Sequence, residues 1–192
     1  MRDIALMGYS RSGKDTAAAH LVGTYGYTRV AFADPVRESL LALDPYITAD
    51  MSGRLVRLSA LVDRIGWESA KEAVPEVRAL LQRHGTEAVR GVLGEDAWVD
   101  IARQKVARAW RSTPRTPVII TDCRFPNEAH TLRAWGFLRV WVERPGREPL
   151  NGHASETSLG PADADVVLRN GGSPDDLATQ ISELAGATYR DA

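Results

Sequence analysis

Gly8-Tyr9-Ser10-Arg11-Ser12-Gly13-Lys14-Asp15-Thr16 holds the residues of this chain whose types and spacing most directly imply chemistry. Gly-x-x-x-x-Gly-Lys turns successive backbone N–H groups, and the start of the helix that follows, toward a polyphosphate, while the lysine adds mobile positive charge. Gly8, Ser10, Arg11, Ser12, Gly13, Lys14, Asp15 and Thr16 are therefore the expected phosphate cradle, with Lys14 also catalytic. Only 3 lysines stand against 21 arginines in the 192 residues, so a lysine at this point of the motif is not an ordinary solvated charge. Asp15 occupies the place where a Ser or Thr usually reaches a magnesium ion. A carboxylate beside a triphosphate is repelled unless a cation or a protonated acceptor intervenes. Asp15 is thus a candidate metal ligand and catalytic group, with Thr16 next to it as the other candidate ligand.

A second anchor lies about a hundred residues further on. Val118-Ile119-Ile120-Thr121 is a continuous apolar run ending in Asp122. A strand-end aspartate at such a distance from a phosphate loop suits holding Mg²⁺, directly or through water; capping the next helix is the alternative. Arg124 follows, and its planar fork matches phosphate oxygens. Arg37, Arg83, Arg90, Arg144 and Arg147 are further candidates, because transfer between phosphates concentrates negative charge that positioned cations neutralise. Arg144 and Arg147 stand out by lying on an irregular segment after a strand, where a closing lid would sit. His153 and Glu156 share that segment and are expected to order it. Asn170-Gly171-Gly172-Ser173 marks a turn at the last strand end. Its backbone either reads an adenine edge at close range or simply joins strand to helix. His20, His84 and His130 read as ordinary helix residues, and Cys123 as buried packing.

The elements that must position these groups alternate between strands and helices. Residues 3–7 form a strand, Gly13 to Thr24 a helix stopping near Gly26, and Tyr27 to Phe32 a short strand. Asp34 is the expected N-cap, and Pro35 the first residue, of a helix running through Val36, Leu40 and Leu41. A long helical middle follows, with Leu58, Leu61, Val62 and Ile65, then Val77, Leu80, Leu81 and His84, at helical spacing. A helix over Asp96 to Trp110 leads to the link 112–117. Pro126 opens a helix ending before Gly136; Phe137 to Val142 and Ala164 to Leu168 are strands. Ser173 caps a last helix whose Leu177, Ile181 and Leu184 face inward. This order implies a parallel sheet with right-handed crossovers and ligands beyond the strands' carboxyl ends. The expected fold class is α/β, a P-loop three-layer sandwich with helices on both faces of a parallel sheet. It is one domain, 1–192, with a helical lobe over about 35–112 and a lid over about 144–160.

Composition narrows the class further. A net charge of −1 offers no global attraction to nucleic acid or membrane, so neither is an expected partner. One cysteine excludes an internal disulfide framework and fits a reducing compartment. With no apolar span and no signal segment in view, a cytoplasmic location is expected, in the host if the source is viral. Oligomeric state stays open, a homodimer included.

Assembled, these residues resemble the nucleoside monophosphate kinase group, and more narrowly the bacteriophage-type deoxynucleoside monophosphate kinases. Gly13-Lys14-Asp15-Thr16 is the form of the loop typical of that family, shared with animal phosphomevalonate kinases. Leu80 to Glu87 with Arg90, then Gly94 to Val99, is the second match; Ile120 to Ala129 is the third. His153-Ala154-Ser155-Glu156 and the Asn170-Gly171 turn complete the pattern across nearly the whole chain. The resemblance implies transfer of the γ-phosphate of ATP, with Mg²⁺, to a deoxynucleoside 5′-monophosphate. It implies an acceptor site lined by Gln82, Gly85, Thr86 and Arg90, with Arg37 and Trp98 nearby and Asp34 and Glu156 in the set. Arg124 would bridge the two phosphates, and Asn170 and Gly171 would join the ATP site. Kinases of phosphomevalonate or dephospho-coenzyme A, and a P-loop ATPase switch, are the alternatives. Gln82, Thr86 and Trp98 suit a flat base rather than an isoprenoid chain, and no water-positioning glutamine follows Asp122.

Overall fold

Ile4–Met7 (β1) has no solvent exposure along its whole length, as a strand covered on both faces requires. In the computed structural model, which describes residues 1–48, 53–112 and 114–186, β1 is the middle of a five-stranded parallel sheet. Its partners are Thr28–Val30 (β2), Val118–Ile120 (β5), Leu138–Glu143 (β6) and Val166–Arg169 (β7), in the order β2-β5-β1-β6-β7. Ile4 lies opposite both Ile119 and Leu138, which fixes the register around the central strand. Thr113, part of the expected link 112–117, lies outside the described residues.

Helices cover both faces of this sheet. Lys14–Tyr25 (α1) and Pro174–Gly186 (α9) bury Ala17, Ala18, Leu21, Leu177 and Ile181 against Ile4, Leu6, Val140 and Leu168. Gly26 ends α1 in the left-handed conformation, returning its N–H to the last turn. Ser173 caps α9 as expected: its Oγ accepts the Asp176 N–H, and Asp176 Oδ2 accepts the Ser173 N–H. Pro126–Ala134 (α7) packs on β6, and Ala97–Trp110 (α6) buries Val99, Ala102 and Val106. Asp3 ties the start of β1 to this side. Its Oδ1 accepts the Val118 N–H at 2.7 Å, and its Oδ2 accepts Trp110 Nε1 at 3.0 Å and the Arg115 guanidinium.

Two compact units result, residues 1–32 with 98–192, and residues 33–97. The second is narrower than the lobe expected over 35–112, since all but the first residue of α6 belongs to the first unit. The second unit contains Ala33–Leu43 (α2), a hairpin of Tyr46–Thr48 (β3) and Leu55–Arg57 (β4), Leu58–Ala73 (α3) and Pro75–Gln82 (α4). A π-helical stretch over Arg83–Arg90 and a single turn over Gly91–Leu93 (α5) complete it. Two sequence expectations need correction. The middle is not all helical, because β3 and β4 are three residues each and too short to register as alternation. Asp34 is not an N-cap: the helix already begins at Ala33, and Asp34 lies in its first turn.

Candidate active site

The loop after β1 turns through Gly8 (φ 135°), Arg11 (φ 62°) and Gly13 (φ 107°). A Cβ on Gly8 would stand 2.5 Å from Val142 O of β6, and one on Gly13 would collide with Asn170 Nδ2. Both glycines are therefore demanded by close approach as well as by φ. Left-handed residues placed between right-handed ones aim consecutive N–H groups into one concavity, a nest for anions. Asn170 braces this loop. Its Nδ2 donates to Ser12 O at 2.8 Å, and its own N–H donates to Glu143 O at 2.7 Å. Tyr9 adds an edge-on contact with Trp141 on β6, ring centroids 5.1 Å apart. Gly171 is exposed, and a Cβ on it would lie 3.7 Å from the Pro145 ring.

Lys14 Nζ folds back on the loop, donating to Gly8 O at 2.8 Å, Tyr9 O at 2.7 Å and Ser12 Oγ at 3.4 Å. All three ammonium protons are thereby satisfied by oxygens of the loop. Burial, helped by the Arg124 charge and opposed by Asp15, Glu156 and Asp122, lowers its pKa to about 8. Those four names define the electrostatic neighbourhood of the lysine. The fold brings together Lys14, Asp15, Asp122, Arg124 and Glu156, which arrive from three separate stretches of the sequence.

Each of these groups has identifiable support. Asp122 Oδ1 accepts the Phe32 N–H at 2.8 Å. The N–H groups just before α7 go to Glu128. Glu128 is 2% exposed, and its Oε2 accepts Arg124 N–H at 2.8 Å and Phe125 N–H at 3.1 Å. The Arg124 side chain, 40% exposed, donates through Nη1 to Glu156 Oε1 at 2.9 Å, and the Glu156 side chain is 4% exposed. Glu156 lies in the short helix Ala154–Thr157 (α8), whose N-cap is His153, with Nδ1 accepting the Ser155 N–H. Asp15 and Thr16 are exposed in the first turn of α1. Burial raises the Cys123 thiol well above its ordinary pKa, so it is packing rather than a nucleophile.

Arg144 and Arg147 flank Pro145-Gly146, and Arg147 N–H donates to Arg144 O at 3.1 Å. With Pro second and Gly146 at φ 73°, this is a tight turn of type II sequence, and both arginines are exposed.

In the second unit, Arg37 Nη2 donates to Glu68 Oε1 at 3.1 Å, and its guanidinium lies 5.8 Å from the centre of the Trp67 ring. Its Nε is buried without a hydrogen-bond partner. Glu68 also pairs with Lys71 at 2.6 Å, and burial lowers the Lys71 pKa. Gly66, at φ 75° and ψ 162°, breaks α3 just before this group. Gln82 ends α4, and Gly85, Thr86 and Arg90 follow in the π-helical stretch, a feature frequent at functional sites. Gly85 is buried against Val36; Arg90 is buried, its Nη1 donating to Glu95 O at 2.7 Å. His84 Nε2 pairs with Ser39 Oγ at 2.7 Å. Trp98 belongs to the first unit and is 6% exposed.

Sequence reasoning missed Glu128, Asp3 and the Lys71–Glu68 pair. Only Glu128 carried a signal, as the third residue of a helix opened by Pro126.

A parallel sheet with a phosphate nest after its central strand, and a lysine, three carboxylates and an arginine around that nest, defines a P-loop phosphotransferase. The family described as deoxynucleotide monophosphate kinase matches residues 65–181. The chain belongs to the deoxynucleotide monophosphate kinase family, of the type found in phages, and uses ATP as the phosphate donor that the family implies. A protein of Acanthamoeba polyphaga mimivirus, provisionally named for that activity, is 28% identical over 93% of both chains. The deoxynucleotide monophosphate kinase of Enterobacteria phage T4 is 24% identical over 94% of this chain and 97% of its own. Among solved structures, shikimate kinase from Aquifex aeolicus aligns over 99% of both chains at 11% identity and a TM-score of 0.47. No helix among the described residues is long and apolar enough to cross a membrane.

Proposed function

We propose that this chain transfers the γ-phosphate of ATP, with Mg²⁺, to the phosphate of a deoxynucleoside 5′-monophosphate. The observation that carries the reading is the cluster around Lys14. An ammonium stored on its own loop, an arginine held on a buried carboxylate and two further carboxylates meet where a γ-phosphate would project from the nest. An acceptor phosphate oxygen attacks the γ-phosphorus, the bond to the β–γ bridging oxygen breaks, and ADP leaves. Lys14 exchanges loop carbonyls for phosphate oxygens, and the nest N–H groups hold the polyphosphate. Arg124 lies beside both and neutralises charge as it spreads over the transferred group. The exposed turn bearing Arg144 and Arg147 would close over the donor and exclude water.

The residues present fit magnesium. The ion takes one or two carboxylates, phosphate oxygens and waters rather than a full protein cage. Asp15, Thr16 and Asp122 supply hard oxygen donors beside the nest, Asp122 with one oxygen engaged by Phe32. When bound, Mg²⁺ would supply positive charge that neutralises the phosphate oxygens during transfer. Asn170 contributes to donor binding as the brace of the loop, with the Gly171 backbone as the group facing a base.

For the acceptor we assign, within residues 33–97, Asp34, Arg37, Gln82, Gly85, Thr86 and Arg90. Arg37 is best placed to meet an anion, since its Nε is unsatisfied; Arg90 shapes the lobe from within. Incubation with ATP and a panel of deoxynucleoside monophosphates tests the reading. ADP should form only when an acceptor is present, in step with a deoxynucleoside diphosphate. ADP without acceptor would identify an ATPase. Turnover only with phosphomevalonate or dephospho-coenzyme A would replace the acceptor class.

A further inference from the structure

A glutamate at the third position of a helix ordinarily accepts the N–H of the residue just before the helix. In α7 that is Phe125, and Glu128 Oε2 accepts it at 3.1 Å. The same oxygen also accepts the Arg124 N–H, at 2.8 Å. This second bond changes what the carboxylate does, because the two N–H groups flank the Arg124 Cα. One buried oxygen anchors the peptide planes on both sides of Arg124 and so restrains its φ and ψ together. Pro126 removes freedom from the far side: it keeps Phe125 out of the helical region, at φ −123° and ψ 149°. The Arg124 side chain leaves from this fixed root, pairs with Glu156 and is felt by Lys14.

We infer that Glu128 is a positioning residue for phosphoryl transfer, holding the backbone of Arg124 so that its guanidinium meets the reacting phosphates, without touching them itself. The inference rests on the role proposed above for Arg124. A carboxylate that only capped α7 would affect stability alone; one that aims Arg124 must affect turnover through Arg124.

A double-mutant cycle separates the two. The kcat, the KM for ATP and for the best acceptor of the panel, and the melting temperature are measured for E128A, E128Q, R124A and E128A/R124A. R124A should lower kcat by about 100-fold or more. E128A should lower it by about tenfold or more, since small misplacements of a catalytic group are costly, with the KM for ATP within about threefold. E128Q keeps an acceptor oxygen on the same stem and should recover kcat to within about threefold of the unmodified enzyme. With Arg124 already removed, E128A should change kcat by less than about twofold while lowering the melting temperature as much as before. Unchanged kcat in E128A, or a loss that multiplies in full with that of R124A, overturns the inference and leaves the proposed function standing. Unaltered kcat in R124A overturns both. If E128A does not fold, E128D, which keeps the charge but shortens the reach, enters the same cycle with the same two outcomes.

Discussion

The two units hold their candidate residues in different ways. Around Lys14 the main groups are tied down: the ammonium to loop carbonyls, Arg124 to a side chain 4% exposed, and the loop itself to Asn170. In residues 33–97, Arg37 and Lys71 converge on Glu68, whose side chain is 72% exposed. Gly85 and Thr86 sit in a π-helical stretch, and Gly66 breaks the helix beside the ion pairs. Under the proposed assignment, the donor side is the preorganised electrostatic site and the acceptor side the one held by exposed ion pairs.

The sharpest way to break the comparison is Lys14→Met. If the donor site is preorganised around this charge, kcat/KM for ATP should fall by about 1000-fold in a coupled ADP assay. Folding should not suffer. Lys14 has a pKa of about 8 in the fold against 10.5 when free, so the folded state holds fewer protons between those values, and stability rises with pH across that window. Below pH 8 the fold bears the full cost of a desolvated ammonium. At pH 7 the methionine variant should therefore melt at the same temperature or higher. A large drop in melting temperature with modest loss of activity would reverse the assignment.

Asp15→Asn comes next. Asp15 is exposed at the mouth of the nest rather than built into it, so its loss should spare ATP binding. We expect kcat to fall about 10- to 100-fold and the Mg²⁺ needed for half-maximal rate to rise, with the ATP dissociation constant within about threefold. Equal kcat and Mg²⁺ profiles for the two proteins would remove Asp15 from the metal site.

This contrast also governs how much could be read from the chain. The phosphate loop was legible because its chemistry requires glycine and lysine at fixed spacing, and Asp122 because an apolar run ended on it. Asn170 satisfies a backbone group that only the fold brings near it, at Ser12, while Glu128 sits at the third position of a helix, which marks a cap but not its second bond to Arg124. Asp34 looked like a cap, yet the chain turns helical one residue earlier, at Ala33. The hairpin of β3 and β4 escaped because three residues cannot show a period. Acceptor residues such as Gln82 and Thr86 came from family likeness alone. A contact surface that adjusts to its ligand leaves no fixed spacing to find.

A pH series sharpens the donor side further. Only protonated Lys14 can exchange loop carbonyls for phosphate oxygens with a gain in charge pairing, and phosphate binding raises its pKa. ATP affinity should be flat below pH 8 and weaken above it. A group titrating near 8 predicts about a tenfold loss between pH 7 and pH 9. Lys14→Arg, which stays protonated throughout, should flatten the curve even where its affinity is lower. A slope that survives in the arginine variant would trace to another group.

The smallest effects lie in one matched pair of substitutions, Glu156→Gln and Glu68→Gln. Each removes a carboxylate that pairs with an arginine, at 2.9 Å in the first case and 3.1 Å in the second. Removing the partner of an ion pair costs most where the survivor stays out of water. Arg124 is 40% exposed, so the loss at Glu156 is discounted to about 1–2 kcal/mol. Glu68 is largely in solvent, and its loss should cost about 0–1 kcal/mol, diminishing with added salt. Chemical denaturation of both variants at low and high salt measures the difference. Glu68 restrains Arg37, so its removal should also free that guanidinium and move the acceptor KM by no more than about threefold, leaving the KM for ATP alone. If Glu68→Gln proves as costly as Glu156→Gln and as insensitive to salt, the acceptor side is as rigid as the donor side. Tolerance of different bases would then have to come from the shape of the pocket rather than from the looseness of its contacts.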